Sequence, residues 1–187
     1  AYAAASDDTV DSTVVPMGTT GQAGTSVSPA GPPDAPFFLI VGTIEPRKNH
    51  DVVLDAFEKV HADHPGARLV VAGRPGWNSA GTIERLRTLG TRGVDWRTDT
   101  SDEELAELYR SARVVVVASE LEGFGLPVVE ALHRGAVVVS SQGGALPEAG
   151  GEFVEYFDPS SAAELADLLA RHLTDTAHHR SRRARAA

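Results

Sequence analysis

Two carboxylates, Glu122 and Glu130, bracket the run EGFGLPVVE, which is otherwise glycine, proline and apolar. Pro127 suits the first turn of a helix, where its missing N–H leaves no bond unmade. Gly123 and Gly125 before it let the backbone come close to a neighbour. The segment therefore reads as a loop entering a helix, with Glu122 in the loop and Glu130 about two turns further on. Amides at such a helix start attract anions, and a carboxylate beside a cleft can accept hydrogen bonds from two hydroxyls. The plainer reading makes Glu122 a loop acid and Glu130 a surface helix acid. The flanking Val128, Val129, Ala131 and Leu132 leave the exposure of Glu130 open. A second run, GTIEPRKN, sets Arg47 and Lys48 at the entry to another helix. Arginine offers a planar fork and lysine a compact charge, both suited to phosphate oxygens. A solvated basic pair is the alternative reading.

Other candidates carry less. His61 and His64 in HADH stand at a helix end, as a metal pair or as solvated side chains. Trp77 and Trp96 read as packing residues in preference to stacking platforms. No G-x-G-x-x-G follows a strand, which argues against a nicotinamide-binding domain, and no phosphate-binding G-x-x-x-x-G-K-[ST] loop is present. There is also no D-x-D pair to chelate a metal.

The elements that would position these residues follow from periodicity. The 187 residues suffice for one domain with a real core, and 42% hydrophobic with 23% charged residues is a globular balance. A net charge of −9 argues against a nucleic-acid or anionic-membrane surface. Only HHRSRRARAA, with four arginines, departs from this; it reads as a frayed, solvated helix end, with peripheral lipid contact as the alternative. Cysteine is absent, so disulfides and thiolate metal sites are excluded. No apolar run approaches the roughly 20 residues of a membrane span, and no secretion signal is evident, so the expected location is cytoplasmic.

Residues 1–35 have the composition of a hinge or linker, with STVVPMG (12–18) as a short strand. Alternation begins at Pro36. Strands are expected at 37–44, 67–73, 94–97, 114–119, 136–141 and 154–157. Helices are expected over NHDVVLDAFEKVHADH, capped by Asn49, and over 79–89. SDEELAELYRSA forms another, opened by a Ser101/Glu104 capping box. LPVVEALHRG forms a helix that ends at Gly135. A brief turn falls at LPEAG, and a last helix starts from a Ser161/Glu164 box and aligns Leu165, Leu168, Leu169 and His172. The expected fold class is α/β, a Rossmann-like three-layer domain with a six-stranded parallel sheet, over 36–175, followed by a basic tail at 176–187. Such sheets bind ligands at the carboxyl ends of their strands. Gly42–Lys48, Gly73–Trp77, Thr98–Thr100, Ser119–Leu126 and Ser141–Gly144 share that edge.

Taken together, GTIEPRKN, VVAGRPGW, SDEELAELY and EGFGLPVVEAL resemble the C-terminal half of a glycosyltransferase of family 4, a retaining enzyme with the two-domain GT-B architecture. The resemblance runs from about Pro36 to about Leu173. It implies that Arg47 and Lys48 bind the donor diphosphate without a metal or other cofactor and that Glu122 lies by the donor sugar, and these three are the expected catalytic residues. It further implies that Glu130 holds ribose hydroxyls, that amides around Phe124, Gly125 and Leu126 face sugar and phosphates, and that Thr98, Asp99 and Thr100 contact the base, with Gly42 and Thr43 completing the nucleotide site. Thr98 and Asp99 depart from the glycine and aromatic usual there; an aspartate could accept from guanine's ring N–H and amino group or be solvated. The implied reaction transfers a hexose from a nucleoside-diphosphate sugar to an acceptor hydroxyl, with GDP-mannose leading and UDP-sugars as alternative. A non-catalytic nucleotide-sugar module is the competing class. The partner expected besides the nucleotide sugar is an N-terminal acceptor-binding domain preceding this segment, without which the fragment is expected to be inactive.

Overall fold

VVVV over Val114–Val117 is buried at every position, as β-branched residues in a strand covered on both faces should be. The same holds for RLVVA, Arg68–Ala72, and for VVSS, Val138–Ser141. With Phe37–Val41, Val94–Arg97 and Glu155–Phe157 these make strands β1 (37–41), β2 (68–72), β3 (94–97), β4 (114–117), β5 (138–141) and β6 (155–157). The computed structural model describes residues 35–186; the short strand expected at 12–18 lies outside them.

The six strands form one sheet in the order β3-β2-β1-β4-β5-β6, and every neighbouring pair is parallel. Strand order reverses between β1 and β4, so the loops leaving those two strands open a crevice at their carboxyl ends. Helices are α1 (His50–Asp63), α2 (Ala80–Leu89), α3 (Asp102–Ser111), α4 (Leu126–His133), α5 (Leu146–Gly150), α6 (Ala162–Thr174) and α7 (Thr176–Ala186). Phe38 and Ile40 pack with Phe57 of α1, Leu86 of α2 and Leu165 and Leu169 of α6. Leu39, between them in sequence, packs on the other face with Tyr109 of α3, Val128 of α4 and Leu146 of α5. This alternation along a single strand produces three layers. The Rossmann-like α/β class is therefore the one found.

Several local expectations are modified. β1 stops at Val41, and Ile44 forms an isolated bridge to Pro75. Asn49 precedes α1 but does not cap it with its side chain: its backbone is left-handed at φ 54°, and its amide donates to the Pro159 carbonyl at 2.8 Å. Trp96 is buried and donates to the Gly73 carbonyl, whereas Trp77 is 64% exposed, so the packing reading fails for Trp77. The basic tail is no frayed end. It forms α7, which buries His179 and brings Arg182 to Glu155. Among the described residues no helix is long and apolar enough to cross a membrane.

Candidate functional site

The chain after β1 turns through a single 3-10 turn, Pro46–Lys48, closed by Lys48 N–H to the Glu45 carbonyl and Asn49 N–H to the Pro46 carbonyl. Proline at its first position fixes φ for that turn. The loop after β4 is tied to it by the Glu120 amide, which donates to the Arg47 carbonyl at 2.9 Å. These backbone bonds aim both basic side chains at one acid. Lys48 Nζ lies 2.9 Å from Glu122 Oε2, and an Arg47 guanidinium nitrogen lies 3.1 Å from the same oxygen. Arg47 also donates to the Leu121 carbonyl at 3.1 Å and pairs with Glu45 at 2.9 Å.

Glu122 is held in place from behind. Its carbonyl accepts the Ala145 amide at 2.9 Å. Gly144 sits there at φ 62°, a conformation that favours glycine, and a Cβ on it would overlap the Glu122 backbone. Partial burial raises the Glu122 carboxyl, but the Lys48 bond and charge, Ser119 and the Arg47 charge outweigh it and hold the group below its usual range. The carboxylate is thus ionised at neutral pH, with two cations sharing one of its oxygens.

A second polar cluster stands on the same sheet edge. Arg74, just past β2, pairs with Asp99 at 3.0 Å and donates to the Thr98 carbonyl at 3.3 Å. Thr98 Oγ1 donates to the other Asp99 oxygen at 3.2 Å, and among the described residues the buried hydroxyl oxygen of Thr100 has no hydrogen-bond partner. The loops after β1 and β2 are laced together by Ile44 N–H to the Arg74 carbonyl and Gly76 N–H to the Ile44 carbonyl. Gly42, Thr43, the 98–100 segment and the 119–126 loop therefore share one edge, as the topology requires.

The bend Gly123–Leu126 leads into α4 with Gly125 at φ 79°. Phe124 and Leu126 are exposed beside it, as are Leu121 and Trp77. Gly123, Phe124, Val129, Ala145, Glu148 and Ala149 line a depression of about 290 Å³ between the bend, α4 and α5. Glu130 stands exposed on α4, and its carboxylate makes no ion pair with Arg47 or Lys48 among the described residues. The structure thus joins Arg47, Lys48 and Glu122 and leaves Glu130 apart. Glu45 and Arg74 were not singled out from the sequence, although both lie inside the quoted runs GTIEPRKN and GRPGW.

Comparison with known proteins finds glycosyltransferases. The serotype-specific mannosyltransferase WbdA of Escherichia coli is 36% identical over 152 residues, covering 79% of this chain and 19% of that protein. The O-antigen chain mannosyltransferase B of Escherichia coli is 33% identical over 145 residues, 74% of this chain and 37% of that protein. A D-inositol 3-phosphate glycosyltransferase of Streptomyces bingchenggensis is 36% identical over 172 residues, 81% of this chain and 38% of that protein. The chain thus spans less than two fifths of the length of these relatives. The crystal structure of the C-terminal domain of a glycosyl transferase group 1 family protein (LpcC) from Francisella tularensis shares the fold, with a TM-score of 0.72 at 23% identity over 81% of this chain and 82% of that one. A family model, Glycosyl transferases group 1, matches residues 26–187, and the chain belongs to that family.

Proposed function

We propose that this chain is the donor-binding part of a retaining hexosyltransferase and that its donor is a nucleoside-diphosphate sugar, GDP-mannose first among the candidates. The observation that carries the reading is the convergence of Arg47 and Lys48 on one Glu122 oxygen at the crevice between β1 and β4. Two cations held this way, beside the start of α4, can take a diphosphate. Relatives named as mannosyltransferases support mannose as the sugar.

In the proposed reaction the bond between the sugar's anomeric carbon and the diphosphate breaks, and the acceptor hydroxyl oxygen bonds to that carbon on the same face. The acceptor's proton leaves toward the departing phosphate. Arg47 and Lys48 stabilise the charge that gathers on the diphosphate, and loss of one such donor typically costs about 2.7–4 kcal/mol in the transition state. Glu122 faces the sugar, Glu130 the ribose, and Thr98, Asp99 and Thr100 the base. The acceptor is held by a further domain, so these residues alone bind donor without turning it over, and the location is cytoplasmic.

Calorimetric titration of the chain with GDP, UDP and ADP tests this. Saturable GDP binding that is lost in Lys48→Ala is the expected result. Preference for UDP would keep the site and change the base. A folded chain that binds none of the three, or a Lys48→Ala variant that binds as the parent does, would overturn it.

A further inference from the structure

The opposite, amino-terminal edge of the sheet carries a second cluster that the proposed reaction does not use. Glu155 opens β6, His172 lies in the last turn of α6 and His178 in the first turn of α7. Arg113, just before β4, donates to the His172 carbonyl at 2.8 Å, which fixes the cluster at this edge. His172 Nε2 is 2.9 Å from one Glu155 oxygen, and His178 Nε2 is 3.1 and 3.2 Å from the two oxygens. All three ligand atoms lie within 4.8 Å of one another. His172 is wholly buried and the carboxylate is only 14% exposed.

Two imidazoles and one carboxylate are a common three-residue set for zinc, with metal–ligand distances near 2.0–2.2 Å. A tetrahedral ion at that distance separates its ligand atoms by about 3.3–3.6 Å. The two histidine–Glu155 separations need to open by only a few tenths of an ångström to reach this, and the two histidine nitrogens already lie within 4.8 Å of each other. The outer contact also fits. A metal on His172 Nε2 leaves the proton on Nδ1, and His179 Nδ1 stands 3.4 Å from that atom as its acceptor. Arg182 approaches the same carboxylate no closer than 3.5 Å, so the two imidazoles hold the nearer places around Glu155. Its charge opposes a cation and keeps the affinity modest. Imidazole nitrogen favours zinc over magnesium or calcium, which prefer oxygen.

We propose that Glu155, His172 and His178 form a zinc site that clasps α7 to β6 and α6, with a fourth position open to water. The test uses the untagged 187-residue chain, stripped with chelator and titrated with zinc chloride, with magnesium chloride as control. One zinc per chain is expected, with no saturable magnesium heat and a zinc-dependent rise in Tm. His178→Ala and Glu155→Gln should each weaken zinc roughly tenfold or more and abolish the rise, while a His61→Ala/His64→Ala variant should bind as the parent does. His178 is partly exposed, so its removal leaves the core intact. Absence of saturable zinc binding would show a clasp made of hydrogen bonds alone and overturn the proposal. Zinc binding that survives His178→Ala and Glu155→Gln would overturn it equally.

Discussion

Glu122 gives one oxygen to two cations, Arg47 and Lys48, the pair proposed to take the donor diphosphate. Under the proposed donor binding, the carboxylate competes with an incoming diphosphate for Arg47 and Lys48. Glu122→Gln removes the competing charge but keeps the shape. The variant is therefore expected to bind free GDP several-fold more tightly, while the extra affinity contributed by an attached sugar falls. Titration with GDP and GDP-mannose reads both; unchanged GDP affinity would remove the competition argument. His50, two residues past Lys48, offers a different test. It is buried, neither ring nitrogen has a hydrogen-bond partner among the described residues, and burial above all, with Lys48 adding to it and Asp51 opposing, lowers its pKa from 6.5 to about 4. The unfolded chain then binds the extra proton between these values, so this contribution to stability is complete above pH 6.5 and is lost as pH falls toward 4. His50→Leu should gain about 3 kcal/mol on the parent between pH 7 and pH 4, read by urea unfolding at both. A constant difference would contradict the shift. At this scale the sequence was legible where chemistry is local: Arg47, Lys48 and Glu122 sit in loops that topology must bring together. Glu45 and Arg74 were missed because their pairing depends on the paths of the loops after β1 and β2, which no periodicity encodes.

One sequence pattern can produce two local structures. Ser101 and Glu104 complete a capping box: the serine hydroxyl accepts the Glu104 amide, and the Glu104 carboxylate accepts the Ser101 amide at 2.9 Å. Ser161 and Glu164 share the spacing, yet only the first bond forms. The Glu164 carboxylate accepts the Asp158 amide instead, and so fastens the loop from β6 to α6. Backbone geometry separates the cases, since Ser101 is extended at ψ 162° and Ser161 is not, at ψ 87°. Ser101→Ala should therefore cost about 1 kcal/mol in urea unfolding. Because α3 follows the 98–100 loop, the same variant should also loosen any base contact made there, visible as weaker GDP binding. An unchanged unfolding midpoint would mean that the cap contributes nothing. Asn49 shows the same limit of sequence reading: a residue type suited to capping sits before α1, but its left-handed backbone sends its amide across to Pro159.

Across the whole molecule, the proposed donor site and the Glu155–His172–His178 cluster stand at opposite edges of the sheet. Alternating apolar strands and amphipathic helices made the six-strand parallel sheet and its carboxyl edge readable from sequence. The docking of α7 was not readable, because HHRSRRARAA has no apolar stripe and resembles a solvated helix. Polar pairs hold it instead: Arg182 to Glu155, Arg185 to Glu152, and an Arg183 guanidinium nitrogen to the Arg110 carbonyl at 2.7 Å. All three lie away from the carboxyl edge that carries Arg47, Lys48 and Glu122. Removal of residues 176–187 would bare His172, which is wholly buried in the intact chain, and strip Glu155 of two of its neighbours. Exposed ion pairs contribute little, so most of the expected loss comes from uncovering the buried surface beneath α7. A loss of at least about 1 kcal/mol is expected, which lowers Tm by roughly 2–4 °C in a chain of this size. GDP affinity measured well below that Tm should stay within twofold of the parent's, because no site residue touches α7 through a hydrogen bond or ion pair among the described residues. A truncated chain that remains folded but loses GDP would show that the two edges are coupled through the sheet.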